Sequence, residues 1–408
     1  MKRYWILALL IPFTALSISI YYVTAAEDVK PDYYLKTLGG EEKEALPMTV
    51  QARYENERVD IQTNGSSYPS EQQSYMKRLD SSFYYLEELG GLLEEHRSFL
   101  RGKRNVNAFF EDEKGIAYVG FETGFDLDKI QYDLLDISFY QKGTKKSESF
   151  QVKVQKNKDE YVSILDVQVK ERTMKLMISQ YQQSGKYSTP NNSEYYMYTL
   201  DLDKKSIVEK KLVAAVTTQD KSIRTVITNI WSSGLIKPSN YAIFDRTSYQ
   251  LNGTKEDTAE AKNQVIVNRD ILVYDIWNGQ MTTIQSDPVH DMLIKGNPEN
   301  LSIRYIGDDL FLTLLSESSE SRVLQYQLVE NKLKHDVKLT LQDWQTEWGR
   351  AHNTQIANNR LYMLALGRKD PGVVIADLDT GKIVYQGVIE KKDELGSNRL
   401  SFENISVR

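Results

Sequence analysis

The stretch Val374-Ile-Ala-Asp377-Leu-Asp-Thr-Gly-Lys-Ile383 decides the fold, because related stretches occur three more times in the chain. The other copies are Tyr198-Thr-Leu-Asp201-Leu-Asp-Lys-Lys-Ser-Ile207, Leu272-Val-Tyr-Asp275-Ile-Trp-Asn-Gly-Gln-Met281 and Leu324-Gln-Tyr-Gln327-Leu-Val-Glu-Asn-Lys-Leu333. In each copy an apolar or aromatic residue lies three positions before the Asp or Gln, and apolar residues lie one and six positions after it. This spacing predicts a strand, a tight turn and a returning strand.

The predicted turns contain residues that suit a positive φ angle. Two copies have a glycine there, Gly279 and Gly381, and the other two have the polar residues Lys204, Lys205 and Asn331. A hairpin turn of two to four residues often requires the left-handed backbone region, which such residues tolerate. The turns therefore support the prediction of four equivalent hairpins.

Two further strand-like segments precede each hairpin. The nearer segments are residues 175–181, 241–245, 310–315 and 361–366, and the farther ones are 161–169, 224–230, 301–306 and 354–358. A less regular unit of the same kind is predicted from residues 106–110, 116–121, 134–140 and 148–154. An antiparallel unit of four strands that recurs every 50 to 74 residues is typical of propeller blades.

The last strand-like segment, Leu400-Ser-Phe-Glu-Asn-Ile-Ser-Val407, has no followers in the sequence. We predict that it pairs with residues 48–53 and 59–63 as a composite sixth blade, because a closed ring leaves no free sheet edge. The fold class is thus predicted as all-β, a β-propeller-like array of four-stranded antiparallel units with five to six blades over residues 105–408. A β-sandwich pair or an irregular β domain is the alternative.

The composition agrees with a folded, β-rich protein. The chain of 408 residues has 26 Tyr and 12 Phe, and its 57 acidic and 51 basic residues leave a net charge of −6. Aromatic residues favour strands, and a slightly acidic chain has no general attraction for nucleic acid. The absence of cysteine excludes disulfides, thiolate nucleophiles and cysteine-ligated metal sites.

The N-terminal residues predict a transmembrane helix. Lys2 and Arg3 precede an uncharged, apolar run over residues 4–26, which is long enough to span a bilayer. Positive charges before the span place the bulk of the chain outside the cytoplasm, as a single-pass protein of the cell membrane. The alternative is a signal peptide, cleaved near Val23-Thr-Ala-Ala26, and a secreted protein.

Residues 27–104 are predicted as a membrane-proximal region with short strands and a helix over residues 82–101. Apolar residues at helical spacing and the basic residues near its end support this helix. The chain is thereby divided into residues 1–26, 27–104 and 105–408. With its anchor and its repeated hairpins, the protein resembles membrane-anchored extracytoplasmic β-propeller proteins of bacteria, although the motifs of WD40 and kelch repeats are missing.

No catalytic, metal or cofactor motif stands out. The four histidines are scattered singly, and neither Gly-x-Ser-x-Gly nor a phosphate-binding loop is present. Acidic pairs are the remaining candidates for general acid–base chemistry or calcium binding, but turn hydrogen bonding is the more ordinary role of such Asp residues. The pairs are Asp126/Asp128, Asp201/Asp203, Asp308/Asp309 and Asp377/Asp379.

The most suggestive binding segment is Leu341-Gln-Asp-Trp344-Gln-Thr-Glu-Trp348-Gly-Arg350-Ala-His352. Its two tryptophans, with Arg350 and His352, predict an aromatic and cationic contact surface on a propeller rim, although a short packed helix would explain the tryptophans as well. Residues 182–194, which include Tyr187, and residues 247–262 are two further candidate rim loops. No cofactor or metal is expected.

The sequence favours a non-enzymatic binding or accessory protein outside the cytoplasmic membrane. It would act as a rigid platform for a protein partner or an envelope polymer. The alternatives are an envelope hydrolase with acidic residues at the propeller axis, and a sensor ectodomain that signals through a separate membrane protein.

Overall fold

A computed structural model describes most of the chain between Lys30 and Val407 and a few residues before it. The described residues are 12–14, 16, 17, 19, 30–72, 89, 91, 92, 95–103, 105–121, 134–154, 160–182, 193–216, 222–230, 236–250, 265–296, 300–315, 321–339, 351–366, 371–392 and 400–407. They form an all-β structure of six antiparallel sheets. The chain divides into two compact units, unit 1 with Met1–Arg78 and Leu339–Arg408, and unit 2 with Leu79–Lys338.

Unit 1 contains two sheets that join the two ends of the chain. Sheet 1 has five strands, in the order β1 (Tyr33–Gly40), β24 (Ile383–Lys391), β23 (Pro371–Asp377), β22 (Arg360–Leu366) and β21 (Ala351–Ala357). Sheet 2 has four strands, in the order β25 (Leu400–Val407), β2 (Met48–Tyr54), β3 (Glu57–Gln62) and β4 (Gly65–Ser67).

Unit 2 contains four sheets of four strands, each formed by consecutive strands of the chain. Sheet 3 is β5 (Phe109–Glu111), β6 (Gly115–Phe121), β7 (Leu134–Gln141) and β8 (Lys146–Lys153). Sheet 4 is β9 (Glu160–Lys170), β10 (Thr173–Gln182), β11 (Ser193–Asp201) and β12 (Ser206–Ala215). Sheet 5 is β13 (Ile223–Ile230), β14 (Tyr241–Gln250), β15 (Val265–Asp275) and β16 (Gln280–Thr283). Sheet 6 is β17 (Leu301–Ile306), β18 (Asp309–Leu314), β19 (Ser321–Gln327) and β20 (Lys332–Leu339).

Apolar side chains fill the spaces between consecutive sheets of unit 2. Leu176 and Tyr198 of sheet 4 belong to a core shared with sheet 3, whereas Met177 and Met197 belong to a core shared with sheet 5. Neighbouring residues thus point to opposite faces, as the period of two in a strand requires. Both faces of sheet 4 are therefore buried, which is how propeller blades are stabilised.

The composite sheet predicted from the sequence is confirmed. Strand β25 pairs with β2 in antiparallel register from Met48↔Val407 to Tyr54↔Leu400, and β3 pairs with the other side of β2. Val50 and Ile405 lie opposite each other and are both buried. Ring closure itself stays a prediction.

The four repeated hairpins share one turn geometry. The residue four positions after the Asp or Gln has a positive φ angle in every copy: Lys205 (52°), Gly279 (69°), Asn331 (50°) and Gly381 (70°). A buried apolar residue directly follows the Asp or Gln in every copy. Its backbone N–H donates, at 2.9 to 3.1 Å, to the carbonyl of the residue just before the second of the four consecutive strands of that unit. These residues are Leu202, Ile276, Leu328 and Leu378. The conserved spacing in the sequence therefore reflects one backbone conformation.

The aspartate of the repeat stabilises its turn directly. In Asp201, Asp275 and Asp377 the Oδ1 atom accepts backbone N–H groups from the residues two and three positions later, at 2.8 to 3.1 Å. These bonds satisfy donors that the turn would otherwise leave unpaired. The acidic residue is thus explained by turn structure in the three copies that have it.

We expect Asp275→Ala to lower the free energy of unfolding by about 1 to 2 kcal/mol, the usual effect of losing a side-chain cap. The variant loses the bonds from the Trp277 and Asn278 backbone and leaves these N–H groups without their acceptor. Denaturant unfolding would measure the change, with the exposed Asp379→Ala as the control. Equal stability of the two variants would show that the carboxylate does not hold the turn.

Several local expectations need correction. Residues 106–108 form a 3₁₀ turn rather than the start of a strand, so β5 begins only at Phe109. Residues 247–250 belong to β14 and not to a rim loop. Strand β1 and helix α3 (Asp287–Lys295) were not predicted; α3 buries Val289, Met292 and Leu293.

The predicted helix over residues 82–101 lies largely outside the described residues. Of its described part, Leu89, Gly91, Leu92 and Glu95 are helical, and helix α2 covers Arg97–Leu100. His96 between them has a non-helical backbone (φ −128°), so the helix is not continuous there. A further short helix, α1, covers Pro69–Gln72.

The N-terminal run lies mostly outside the described residues as well. Pro12, Phe13, Thr14, Leu16, Ser17 and Ser19 are helical and exposed. Among the residues that can be described, no helix is both long and apolar enough to span a membrane. The transmembrane helix therefore stays a prediction from the sequence, as do the segment boundaries at residues 26 and 104.

Candidate functional site

The predicted binding residues lie mainly outside the described part of the chain. This applies to Tyr187, Trp344, Trp348 and Arg350. The backbone of His352 is described as the second residue of β21. Because Ala351 pairs with Ala365 whereas Ala357 pairs with Arg360, His352 lies at the end of sheet 1 that is farther from the β21–β22 turn.

Four described members of the acidic pairs that the sequence offered for catalysis have structural partners: Asp201, Asp203, Asp309 and Asp377. Asp201 and Asp377 cap their turns, and Asp309 accepts a hydrogen bond from Gln325 Nε2 at 3.0 Å. Asp126/Asp128 falls outside the described residues. No group of three or more metal-ligating side chains is found in the described ranges.

A cavity of about 310 Å³ lies in unit 1, at one end of sheet 1. It is lined by Lys43, Glu44, Pro47, Asn358, Arg360 and Tyr362. Its volume is at the lower end of the range for small-molecule sites. Since its lining comes from the two ends of the chain, no local sequence motif could have shown it.

Two turns position the lining residues. Strand β1 leaves sheet 1 at Gly40, whose φ angle is 81° and where an added Cβ would lie 2.1 Å from the Val384 carbonyl oxygen. Only glycine fits this close approach. The chain then forms a 3₁₀ turn over Glu42–Ala45, which carries two lining residues.

The other side of the cavity is formed by the β21–β22 hairpin. Asn358 and Asn359 have φ angles of 50° and 58°, the paired positive values of a type I′ turn, which asparagine tolerates. Arg360 and Tyr362 follow on β22, two residues apart and therefore on the same face. The Asn-Asn dipeptide was a turn signal in the sequence, but it did not indicate a cavity.

Arg360 is the electrostatic centre of the cavity wall. Its Nε donates to Glu44 Oε2 at 2.9 Å, and its Nη1 donates to Asp377 Oδ2 at 2.6 Å. All three side chains are no more than 23% exposed, so solvent screens the two ion pairs only in part. The guanidinium thus holds the 3₁₀ turn, β22 and the end of β23 together.

The pKa values at this cluster follow from the same contacts. Burial would raise the pKa of Asp377, but hydrogen bonds from Thr380 and the charge of Arg360 outweigh burial and keep that pKa below its ordinary value. The hydrogen bond with Glu44 raises the pKa of Arg360. Burial also raises the pKa of Tyr362. All three groups therefore keep their ordinary charges near neutral pH.

The cavity lining carries several hydrogen-bonding and charged groups. Its carboxylate, Glu44, is engaged by Arg360, and its lining holds no second carboxylate for acid–base chemistry across a substrate. It offers instead an ammonium group, an amide, a guanidinium, a phenol and a proline ring. Such a lining can hydrogen-bond a polar ligand or a side chain of a partner.

Unit 2 contains a second polar cluster, around the segment 236–240 between β13 and β14. Gln168 of β9 donates to the Lys237 carbonyl at 3.3 Å and accepts from the Ser239 backbone at 2.8 Å. The Ser239 and Tyr305 hydroxyl oxygens are 2.6 Å apart. The Glu111 backbone N–H donates to the Ile236 carbonyl at 2.6 Å, so the segment links the first strands of sheets 3, 4 and 6.

Asp166, a half-buried residue of β9, contributes a carboxyl group to this cluster. Burial raises its pKa to about 6, although hydrogen bonds from Gln168 Nε2 (3.0 Å) and the Val167 backbone act in the opposite direction. A raised pKa in a cleft often marks a general acid. Here the hydrogen bonds of Gln168 and Ser239 join sheets 4 and 6 to the segment 236–240, which gives the cluster a structural role.

Comparisons with known proteins give only distant structural similarities. No protein-family model and no curated protein sequence matches the chain. A polysaccharide lyase of family PL25, an ulvan lyase, is similar with a TM-score of 0.37 and 8% identity, over 70% of each chain. TolB from Acinetobacter baumannii has a TM-score of 0.27 and 13% identity, over 92% of this chain and 67% of that chain.

The WD40 domain of SCAP from fission yeast is similar with a TM-score of 0.31 and 10% identity, over 88% of this chain and 75% of that chain. The resemblance to β-propeller folds rests on the six antiparallel sheets of the chain itself. At these similarities the comparisons carry no argument about activity.

Proposed function

We propose that the protein is a non-enzymatic binding or accessory protein outside the cytoplasmic membrane, anchored by residues 4–26. Its unit 1 would present the cavity to a protein partner or an envelope polymer. The observation that carries this proposal is that the chain enters sheet 1 at one end, whereas the cavity lies at the other end.

The register of sheet 1 defines these two ends. Strand β1 starts with Tyr33 opposite Lys391 and finishes with Gly40 opposite Tyr385. Arg360 pairs with Asp377 at the second end, where the cavity lies. An eight-residue strand is about 26 Å long at 3.3 Å per residue, so the cavity lies about that far from the entry point.

Contacts fix the chain firmly where it enters unit 1. Lys30 pairs with Glu57 and, at 3.3 Å, with Glu71. Asp32 pairs with Lys392 at 2.6 Å. Only four residue steps separate Lys30 from the end of the apolar run, and these can span at most about 14 Å. An anchored chain would therefore hold the entry end near the bilayer and the cavity end away from it.

The described carboxylates favour binding over hydrolysis. Among the acidic residues that sequence patterns offered for catalysis, Asp201 and Asp377 cap turns, Asp203 pairs with Arg172, and Asp309 accepts a hydrogen bond from Gln325. Glycoside hydrolysis requires two carboxyl groups on either side of the scissile bond. The hydrolase alternative therefore depends on groups other than these.

Single-cysteine probes can test this proposal cleanly, because the chain has no cysteine. Lys43→Cys places a thiol at the cavity, and loses only an exposed ion pair with Glu41. Asn64→Cys is the matched control at the entry end, since it is exposed and precedes Gly65, which lies beside Asp32 and Lys392. Both variants should fold normally.

We expect a membrane-impermeant maleimide to label both variants in intact cells. A thiol-linked photocrosslinker should then give a defined adduct from residue 43 and not from residue 64, and Arg360→Gln should reduce the yield of that adduct. If the maleimide labels the variants only after cell lysis, the proposed location outside the cytoplasmic membrane is wrong. Identical adducts from both positions, or none, would contradict the binding role of the cavity end, and an adduct with a signalling protein would favour the sensor alternative.

A further inference from the structure

Three edge strands of unit 2 are basic, in contrast to the chain as a whole. Strands β8, β12 and β20 each lie at the edge of their sheet. Together they carry seven lysines and three acidic residues, a net charge of +4, whereas the whole chain has a net charge of −6. The positive charge is thus concentrated along strand edges.

The β11–β12 hairpin holds its lysines in defined positions. The Lys210 ammonium lies 4.1 Å from the centroid of the Tyr196 ring, and the Lys205 ammonium lies 5.5 Å from the Phe150 ring of β8. Lys211 donates to the Gly279 carbonyl in the β15–β16 turn. Cation–π contacts and amide hydrogen bonds hold an ammonium group in place without neutralising it.

These three lysines differ from their neighbours in their partners. Lys204 pairs with Asp201 at 3.1 Å, and Arg172 pairs with Asp203 at 2.8 Å. For Lys205, Lys210 and Lys211 no carboxylate partner is found in the described part of the chain. Their positive charges therefore remain available to an external anion.

Apolar residues and the adjacent strand complete this surface. Val208 and Leu212 of β12 are 54% and 49% exposed. On β8, Lys146 is also exposed, and the Lys205–Phe150 contact places β8 next to the hairpin. We call Lys146, Lys205, Lys210 and Lys211 the basic face. Edge lysines commonly prevent edge-to-edge aggregation, which explains their presence but not their fixed positions over aromatic rings.

We propose that the basic face binds a linear polyanion, an envelope polymer with repeated phosphate or carboxylate groups. This inference rests on the proposed function and specifies the chemistry of one partner. Lys205, Lys210 and Lys211 are spaced along one edge strand and the turn before it, with Lys210 and Lys211 on opposite sides of sheet 4. The charges therefore follow the edge of the sheet, where a linear chain of spaced anions can contact them better than a flat lipid surface. Binding would release counterions from the polymer, so affinity should fall steeply with salt.

The test uses the full chain in detergent micelles with fluorescently labelled inorganic polyphosphate and, separately, poly-L-glutamate. The variant Lys205→Gln/Lys210→Gln/Lys211→Gln removes three charges from the basic face. The control Lys36→Gln/Lys295→Gln/Lys382→Gln removes three exposed lysines elsewhere, two of them in unit 1. Circular dichroism and thermal unfolding would show that both variants remain folded.

We expect the basic-face variant to bind these polymers at least about tenfold more weakly than the wild type at low salt, and with a smaller salt dependence. The control should retain nearly the wild-type affinity. Equal losses in both variants, or no polymer binding by the wild type, would overturn the proposal. So would aggregation of the basic-face variant with unchanged polymer binding, since this would assign the lysines to edge protection.

Anionic phospholipid vesicles provide the remaining comparison. Vesicle binding that requires the same lysines, without polymer binding, would assign the basic face to a lipid surface and overturn the proposal. Failure of the polyanion proposal can be distinguished from failure of the proposed function, because the crosslink from residue 43 does not involve the basic face. A residue-43 adduct without polymer binding would retain the accessory role and reject only the polyanion.

Discussion

A chain that ends before residue 400 is expected to lose the folded structure of unit 1. Strand β25 is the neighbour of β2 on one side and pairs with it over seven residue pairs, from Met48↔Val407 to Tyr54↔Leu400. Without it, buried residues of β2 such as Val50 and Ala52 would be exposed along an unpaired edge. Such an edge is both unstable and prone to aggregation.

The deletion should therefore remove the unfolding transition of unit 1 and increase its sensitivity to proteases, while unit 2 keeps its protection. Limited proteolysis followed by mass spectrometry would map the two units separately. A synthetic peptide with the sequence of residues 399–408 should restore protection of unit 1 when added in excess. A truncated chain with unchanged protection would contradict the role of the composite sheet.

Point variants provide a milder form of this test. Ile405→Asp places a charge in the core of unit 1, where Ile405 is 1% exposed, and should cost more than about 3 kcal/mol. Asn404→Asp adds the same charge at the neighbouring, exposed position and should change stability by less than about 0.5 kcal/mol. The contrast between these adjacent residues isolates burial as the cause.

Asp166→Asn is expected to stabilise unit 2 at neutral pH by about 2 to 3 kcal/mol. Burial raises the pKa of Asp166 from 3.8 to about 6 in the folded protein. Between these values the folded state keeps a proton that the unfolded state has released, so stability falls as pH rises through this window. Above pH 6 the wild type must bury a carboxylate charge, and asparagine removes that requirement.

The asparagine side chain can still accept the hydrogen bonds from Gln168 Nε2 and the Val167 backbone. Denaturant unfolding at pH 4 and pH 7.5 would measure the effect, with exposed Asp379→Asn as the control for the change in net charge. The gain should be present at pH 7.5 and nearly absent at pH 4. A loss of stability at pH 7.5 would show instead that the buried carboxylate is favourably paired.

Local patterns in the sequence predicted much of the fold. The spacing around Asp201, Asp275, Gln327 and Asp377 identified hairpins whose turns share one backbone conformation. A fifth turn of this kind, at Gln141–Lys145, was not recognised as a copy. It has the same positive φ angle at Lys145 and the same N–H contact from Lys142 to the Lys114 carbonyl. It lacks the apolar pattern, since the three corresponding positions are Ser138, Lys142 and Ser147.

The cavity was not predicted from the sequence. The sequence drew attention to Trp344–His352, a segment rich in recognition residues, but the cavity is formed by Glu44, Arg360 and their neighbours. Glu44 and Arg360 are 316 positions apart, and each is an ordinary surface-type residue in its own segment. Only the pairing of β1 with β24 brings them together.

Residue patterns alone were enough to predict most strands, the four repeated turns and the pairing of the last strand with residues 48–53, because period-two burial and positive-φ turns are local properties that residue types record directly. Only the tertiary structure decided where Arg360 meets its two carboxylates, why Asp166 is half-buried beside Gln168, and which lysines remain without a carboxylate. These features depend on which sheet faces meet and how far solvent reaches, and both are set by contacts between residues distant in the chain.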